Sequence, residues 1–275
     1  MRADFHLHTH YSDGRYSPEQ VVQKAAEAGL EGLAITDHDT AGGIAEARSA
    51  CLKANIEFVS GAEISSAISD NEIHILAYNF DPEYESLLGL FESQQERRLQ
   101  RALEFISVLR KNGVDLAPDE ELALGIGNRG EAIGRPHIAR MIVASGSAAS
   151  MDDAFGEYLV PGSPTFVPKS FPGVEEVLKL VREAGGVSIL AHPGHRTSHA
   201  DLIKLIDLGL DGVEVVHPSH DKVLQKYYGE LADRLKLIAT GGSDYHGWQR
   251  GDEENLGNYF VHWVSGGNLF HPRTL

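Results

Sequence analysis

Short apolar runs alternate with amphipathic stretches of helical length along most of this chain, a rhythm that restricts it to a sheet whose strands are joined by covering helices. Residues 3–8, 32–37, 56–63, 72–78, 186–191, 212–216 and 237–240 read as seven strands of a parallel sheet. Ser17-Pro18-Glu19-Gln20 supplies an N-cap, a proline in the first turn and groups suited to the positive helix end, opening a helix that stops at Gly29. Further crossover helices are expected over about 43–54, 174–184, 200–208 and 222–235. The alternation breaks between Asp81 and Pro168, where 84–112 reads as one long charged helix with shorter helices behind it. A barrel crossover needs one helix, so 81–167 is expected to be a small helical insertion over the mouth of a barrel formed by 1–80 and 168–275.

Most of the apolar runs close on a side chain that can bind a metal. In chain order these are His6, His8, Asp13, His38, Glu63, His74, His192, Asp244 and His246. His6 and His8 are two apart on a strand and point to one face, a spacing that lets both grip one ion. Taken alone that pair is weak, Asp13 is a turn aspartate, and His74 among apolar neighbours is a core histidine. Five strand ends that each supply imidazole or carboxylate make coincidence a poor account, because barrel active sites lie at the C-terminal rim of the strands. Asp37, next to His38, is placed to accept a hydrogen bond from a ligating imidazole and fix its tautomer. Imidazole and carboxylate without thiolate suit transition metals that activate water.

The 275 residues are 42% hydrophobic and 23% charged, enough for one large α/β domain or one domain with an insertion. A formal charge of −16 disfavours long nucleic acid and anionic membranes as partners. Cys51 is the single cysteine, so an internal disulfide is impossible and a reducing compartment is the simpler inference. The N-terminus carries no basic region followed by an apolar signal stretch, and no segment approaches membrane-spanning length. A cytoplasmic address is expected.

His6-x-His8, Thr36-Asp37-His38-Asp39, Glu63, His74, Ala191-His192-Pro193 and Ser243-Asp244-x-His246 resemble the motifs of the PHP family, named for polymerases and histidinol phosphatases. The resemblance implies a distorted (β/α)7, TIM-like barrel with two or three divalent ions, manganese first and iron or zinc also possible, that hydrolyses phosphoesters. It further implies that His6, His8, Glu63 and Asp244 hold one metal. Glu63 would bridge to a second held by His74 and His192, and Asp13, His38 and His246 would hold a third. Many members carry histidine where this chain has Asp13, which makes the third ion's identity and occupancy depend on a carboxylate.

Gly134-Arg135-Pro136-His137 and Val167-Pro168-Lys169 look most like the 3′,5′-nucleoside bisphosphate phosphatases within that family. On this reading hydroxide activated by the metals attacks phosphorus in line and releases the 3′-phosphate of a small nucleotide such as adenosine 3′,5′-bisphosphate. Arg135, His137 and Lys169 are the candidates for holding a second phosphate; a surface ion pair of Arg135 with Glu131 is the alternative. His217 is a candidate acid for the leaving group, with capping or support of a ligand as the alternative. A 5′–3′ exoribonuclease acting on short oligonucleotides, a histidinol phosphatase and a non-catalytic metal-holding module are the rival functions.

Overall fold

The computed structural model describes residues 1–264 except 70, 117–133, 196 and 249–250. Glu131, the alternative partner of Arg135, lies outside the described residues, as does part of the expected insertion. Strands β1 (Arg2–Leu7), β2 (Gly32–Ile35), β3 (Glu57–Ile68), β4 (Asn71–Tyr78), β5 (Val187–Leu190), β6 (Gly212–Val216) and β7 (Ile238–Gly241) follow the expected order. An additional short strand, β8 (Val261–His262), lies antiparallel against the outer edge of β1. Hydrogen bonding runs β7-β6-β5-β4-β3-β2-β1-β8. Further along the same edge of β1, the bridge between Leu7 and Tyr245 and the bond from His8 N–H to the Tyr245 carbonyl, 2.9 Å, tie the end of β1 to the loop after β7 and nearly close a TIM-like barrel.

One expectation is corrected. β4 is not parallel to its neighbours but antiparallel to both β3 and β5. The connection from Ile68 to Asn71 is far too short for a crossover, which needs a dozen residues or more, so the two strands form a hairpin. His74 therefore reaches the site from within a strand, opposite Ser65, rather than from a strand end.

Helices α1 (Pro18–Glu27) and α2 (Ile44–Ala54) connect β1 to β2 and β2 to β3. The expected start of α1 is present: the Ser17 hydroxyl accepts from Gln20 N–H at 3.2 Å, and the Gln20 side chain accepts from Ser17 N–H at 3.0 Å. After β4 come α3 (Glu85–Lys111), α4 (Arg135–Ala144), α5 (Met151–Tyr158) and α6 (Val174–Glu183). Helices α7 (His199–Asp207), α8 (Lys222–Leu235) and the short α9 (Asp252–Asn255) follow among the described residues.

Helix α3 takes part in two cores. Leu87, Leu90 and Phe91 near its start pack with barrel residues such as Ile64, Ile75 and Val177. Phe105, Ile106 and Leu109 near its end pack instead with Ile138, Ile142 and Leu159. The long helix thus joins two hydrophobic clusters, and its middle reaches Asp39 after β2 and Ser65 of β3 through Gln94, Gln95 and Arg98. No helix among the described residues is long and apolar enough to cross a membrane.

Candidate metal centre

The floor of the site is built from strand termini. β1 is buried from Ala3 to Leu7 and delivers His6, with His8 directly beyond it. Gly242, just after β7, lets that loop come close, because a Cβ there would lie within 2.5 Å of Asp4 Oδ1 and His6 N. Asp4 accepts from Ser243 N–H at 3.0 Å and from the Ser243 hydroxyl at 2.6 Å, pinning the segment that carries Asp244 and His246 to β1. Asp39, His192 and Asp244 all adopt left-handed backbone conformations, with φ of 51°, 26° and 51°. Non-glycine residues pay for that conformation, and here it falls on the turns that form the site.

Glu63 is the hub. Its Oε2 lies 3.1 Å from His6 Nε2, 3.2 Å from His8 Nε2 and 3.2 Å from His38 Nδ1. Its Oε1 lies 2.7 Å from His74 Nδ1 and 2.9 Å from His192 Nε2. Asp244 Oδ1 adds a second carboxylate oxygen 3.3 Å from His6 Nε2 and 3.2 Å from His8 Nε2. Asp13 meets His246 Nε2 at 3.1 Å.

Four sets of donors have atoms within 4.8 Å of one another: His6, His8, Glu63 and Asp244; His8, Asp13, His38 and His246; His6, Glu214 and His217; and His38, Glu63 and His74. The first matches the expected set. The second adds His8 to the expected third set, and the last places His38 where His192 was expected; His192 joins through its bond to Glu63.

These sets fit divalent cations. Both ring nitrogens of His8 and Nδ1 of His38 are buried without a hydrogen-bond partner among the described residues, and cations in the donor sets these rings join would engage the lone pairs among them. The charges point the same way. Burial pushes the His6 imidazole down, but Glu214, Glu63 and Asp244 more than offset it and hold its pKa well above the ordinary value. Burial likewise opposes ionisation of Glu63, yet His38, His6 and His74 keep its carboxyl far below the usual range. Burial dominates at His38, which is pushed down to about 3 and so keeps a lone pair free for ligation.

Several neighbours were not anticipated. Glu214 in β6 bonds His6 Nδ1 at 3.0 Å and accepts His192 N–H at 2.7 Å. A carboxylate inside the run Val213-Glu214-Val215-Val216 was the available signal. Arg98 of α3 donates through Nε to Asp39 at 2.7 Å and through Nη2 to the Ser65 hydroxyl at 2.8 Å. Nothing in the charged run Glu96-Arg97-Arg98 sets that arginine apart. Glu72 contacts His74 Nε2 at 3.3 Å and also bonds Lys169.

Among the described residues, the hydrogen bonds to the Asp37 side chain come from the loop after β1. Its carboxylate accepts from Thr9 N–H, the Thr9 hydroxyl and the Ser12 hydroxyl at 2.6–2.7 Å, which fixes the loop between His8 and Asp13. His137 Nδ1 accepts Gly134 N–H at 3.0 Å and caps the start of α4. His217 accepts Ser219 N–H on Nδ1 at 3.0 Å, and its Nε2 lies 3.4 Å from Asp244 Oδ2.

Above the donors opens a cavity of about 1230 Å³. Asp13, His38, Glu63, His74, His192, Asp244 and His246 line it, together with Arg98, Arg101, Arg135, Lys169 and Trp248. Cations are therefore gathered at this cavity although the chain as a whole is strongly acidic.

Residues 4–123 match the PHP domain family. A 3′,5′-nucleoside bisphosphate phosphatase from Chromobacterium violaceum is 34% identical, over 88% of this chain and 86% of that protein. A 5′–3′ exoribonuclease from Escherichia coli is also 34% identical, over 88% of this chain and 84% of its own. A phosphoribosyl 1,2-cyclic phosphate 1,2-diphosphodiesterase from Eggerthella lenta is 32% identical, over 90% and 95%. A solved structure from Bifidobacterium adolescentis, described as a metal-dependent phosphoesterase, superposes with a TM-score of 0.84 at 34% identity, covering 90% of this chain and 88% of that one. Relatives of nearly equal identity bear three different activities in their names, so the choice of substrate rests on particular side chains.

Proposed function

This chain belongs to the PHP domain family, and from that premise we propose that it is a phosphoric ester hydrolase that removes the 3′-phosphate of a small nucleotide such as adenosine 3′,5′-bisphosphate. The observation that carries the reading is that one cavity holds both the donor sets centred on Glu63 and the cations Arg135 and Lys169. A scissile phosphate at the floor leaves the second phosphate of a bisphosphate to those two residues. Two or three divalent ions, with manganese, iron and zinc all compatible with the donors, would lower the pKa of a water and screen the phosphate oxygens.

The chain's own groups prepare that floor. Burial lowers the Lys169 pKa to about 8, opposed by Glu72, so at neutral pH the side chain is an ammonium that can meet phosphate. Glu72 also engages His74 Nε2, leaving Nδ1 directed at Glu63. At His217 the backbone N–H of Ser219 can only donate, so the network assigns the lone pair to Nδ1 and the proton to Nε2, facing Asp244. On this arrangement we read His217 first as a positioning residue for Asp244, with general acid for the leaving group as the second reading.

The exoribonuclease reading is favoured by one observation: the cavity, about 1230 Å³, exceeds the roughly 300–1,000 Å³ usual for small-molecule pockets. A closed, non-catalytic metal site is disfavoured because the side chains of His74, His192 and Asp244 remain 18%, 27% and 25% exposed towards solvent.

Purified protein with added manganese should be offered adenosine 3′,5′-bisphosphate, histidinol phosphate and a short 5′-phosphorylated RNA. Dominant phosphate release from the bisphosphate is expected. Preferred turnover of histidinol phosphate, or a ladder of mononucleotides from RNA with no release from the bisphosphate, would overturn the assignment.

A further inference from the structure

We propose that Trp248, at the wall of the cavity, is a subsite for the aromatic base of a nucleotide. The proposal rests on the nucleotide reading above and assigns the side chain that would hold the base. The chain has two tryptophans, and they are placed very differently. Trp263 is buried against Phe5, with ring centroids 5.5 Å apart, as a core residue should be. Trp248 lines the cavity and is 41% exposed.

Its root is fixed even so. The backbone N–H of Trp248 donates to the buried Asp252 carboxylate at 3.0 Å, and the residue stands two positions after His246, a member of one donor set. The indole and the candidate metal ligands are thus carried on the same short segment after β7.

Two guanidinium groups approach the ring from different parts of the chain. Arg140 of α4 lies 4.2 Å from the indole centroid, and Arg15, in the loop after β1, lies at 5.2 Å. With guanidinium groups over its ring, the exposed indole already makes cation–π contacts; a base that displaces one of them stacks on the same π-surface and keeps that positive charge beside its phosphates. A base-free sugar phosphate would use the charge and leave the indole idle. An apolar protein segment would use the indole but leave the guanidiniums unmatched. A nucleotide uses both.

The contact between Arg140 and Trp248 also joins α4 to the barrel, and the test separates that bracing role from base recognition. Binding of adenosine 5′-monophosphate and of ribose 5-phosphate is measured by calorimetry in the presence of manganese, for the wild type, Trp248→Ala and Trp248→Phe. The wild type should bind the nucleotide about tenfold more tightly than the sugar phosphate. Trp248→Ala should bring that ratio close to one, and Trp248→Phe, which keeps a stacking face, should retain most of it. Equal binding of both ligands by the wild type, an unchanged ratio in Trp248→Ala, or equal weakening of both ligands as a lost brace would produce, overturns the subsite. Phosphate release from adenosine 3′,5′-bisphosphate is followed in parallel. Absence of release with base discrimination intact sinks the hydrolysis reading alone, whereas release without discrimination sinks the subsite alone.

Discussion

Nδ1 of His6 lies 3.0 Å from Oε1 of Glu214, while the opposite nitrogen of the same ring faces Glu63 and Asp244. Glu214 is fully buried, and its other oxygen accepts the backbone N–H of His192. One carboxylate thereby sets the tautomer of one candidate ligand and the backbone position of another. Glu214→Ala should weaken metal binding about 10–100-fold, read by competition against a chromogenic chelator. Unchanged affinity would show that the His6 ring is held by something else.

Arg98 ties the long helix α3 to the site. Its partner Asp39 is fully buried, follows the candidate ligand His38 directly, and accepts Ser65 N–H at 2.8 Å on its other oxygen. Removing one member of a buried pair leaves a charge without compensation, so Arg98→Ala should cost about 3–5 kcal/mol in denaturant unfolding. Replacing both residues with neutral ones should recover part of that loss. A cost below about 1 kcal/mol would mean that water already screens the pair.

Lys169 makes the account testable by pH. Its free pKa is lowered to about 8 by burial, so the ammonium present at pH 7 is lost as the pH rises through that value. Because the charge assists phosphate binding, KM for a bisphosphate should rise across the same interval. Lys169→Arg keeps its charge and should flatten the rise. An identical pH profile in that variant would remove Lys169 from substrate binding.

The strands and their order were legible because each buried run in this barrel is short, apolar and bounded by polar turns. The donors were legible for the same reason: His6, His38 and His192 interrupt or end such runs, where an ionisable group is expensive unless it has a purpose. The direction of β4 had to be read from the length of the connection before it, not from its own composition, which suits either direction. Arg98 was invisible because a helix of alternating charges does not show which arginine turns inward. Asp37 and His137 show the converse. A polar residue beside a ligand motif can be absorbed by the backbone, Asp37 by the loop after β1 and His137 by the start of α4.

Elemental analysis of protein purified without chelator tests the central claim most directly. The account predicts about two or three transition-metal ions per chain, and a marked loss in Glu63→Ala, whose parent side chain touches five imidazoles. A wild-type protein with no stoichiometric metal, or a Glu63→Ala variant with its full complement, would contradict it.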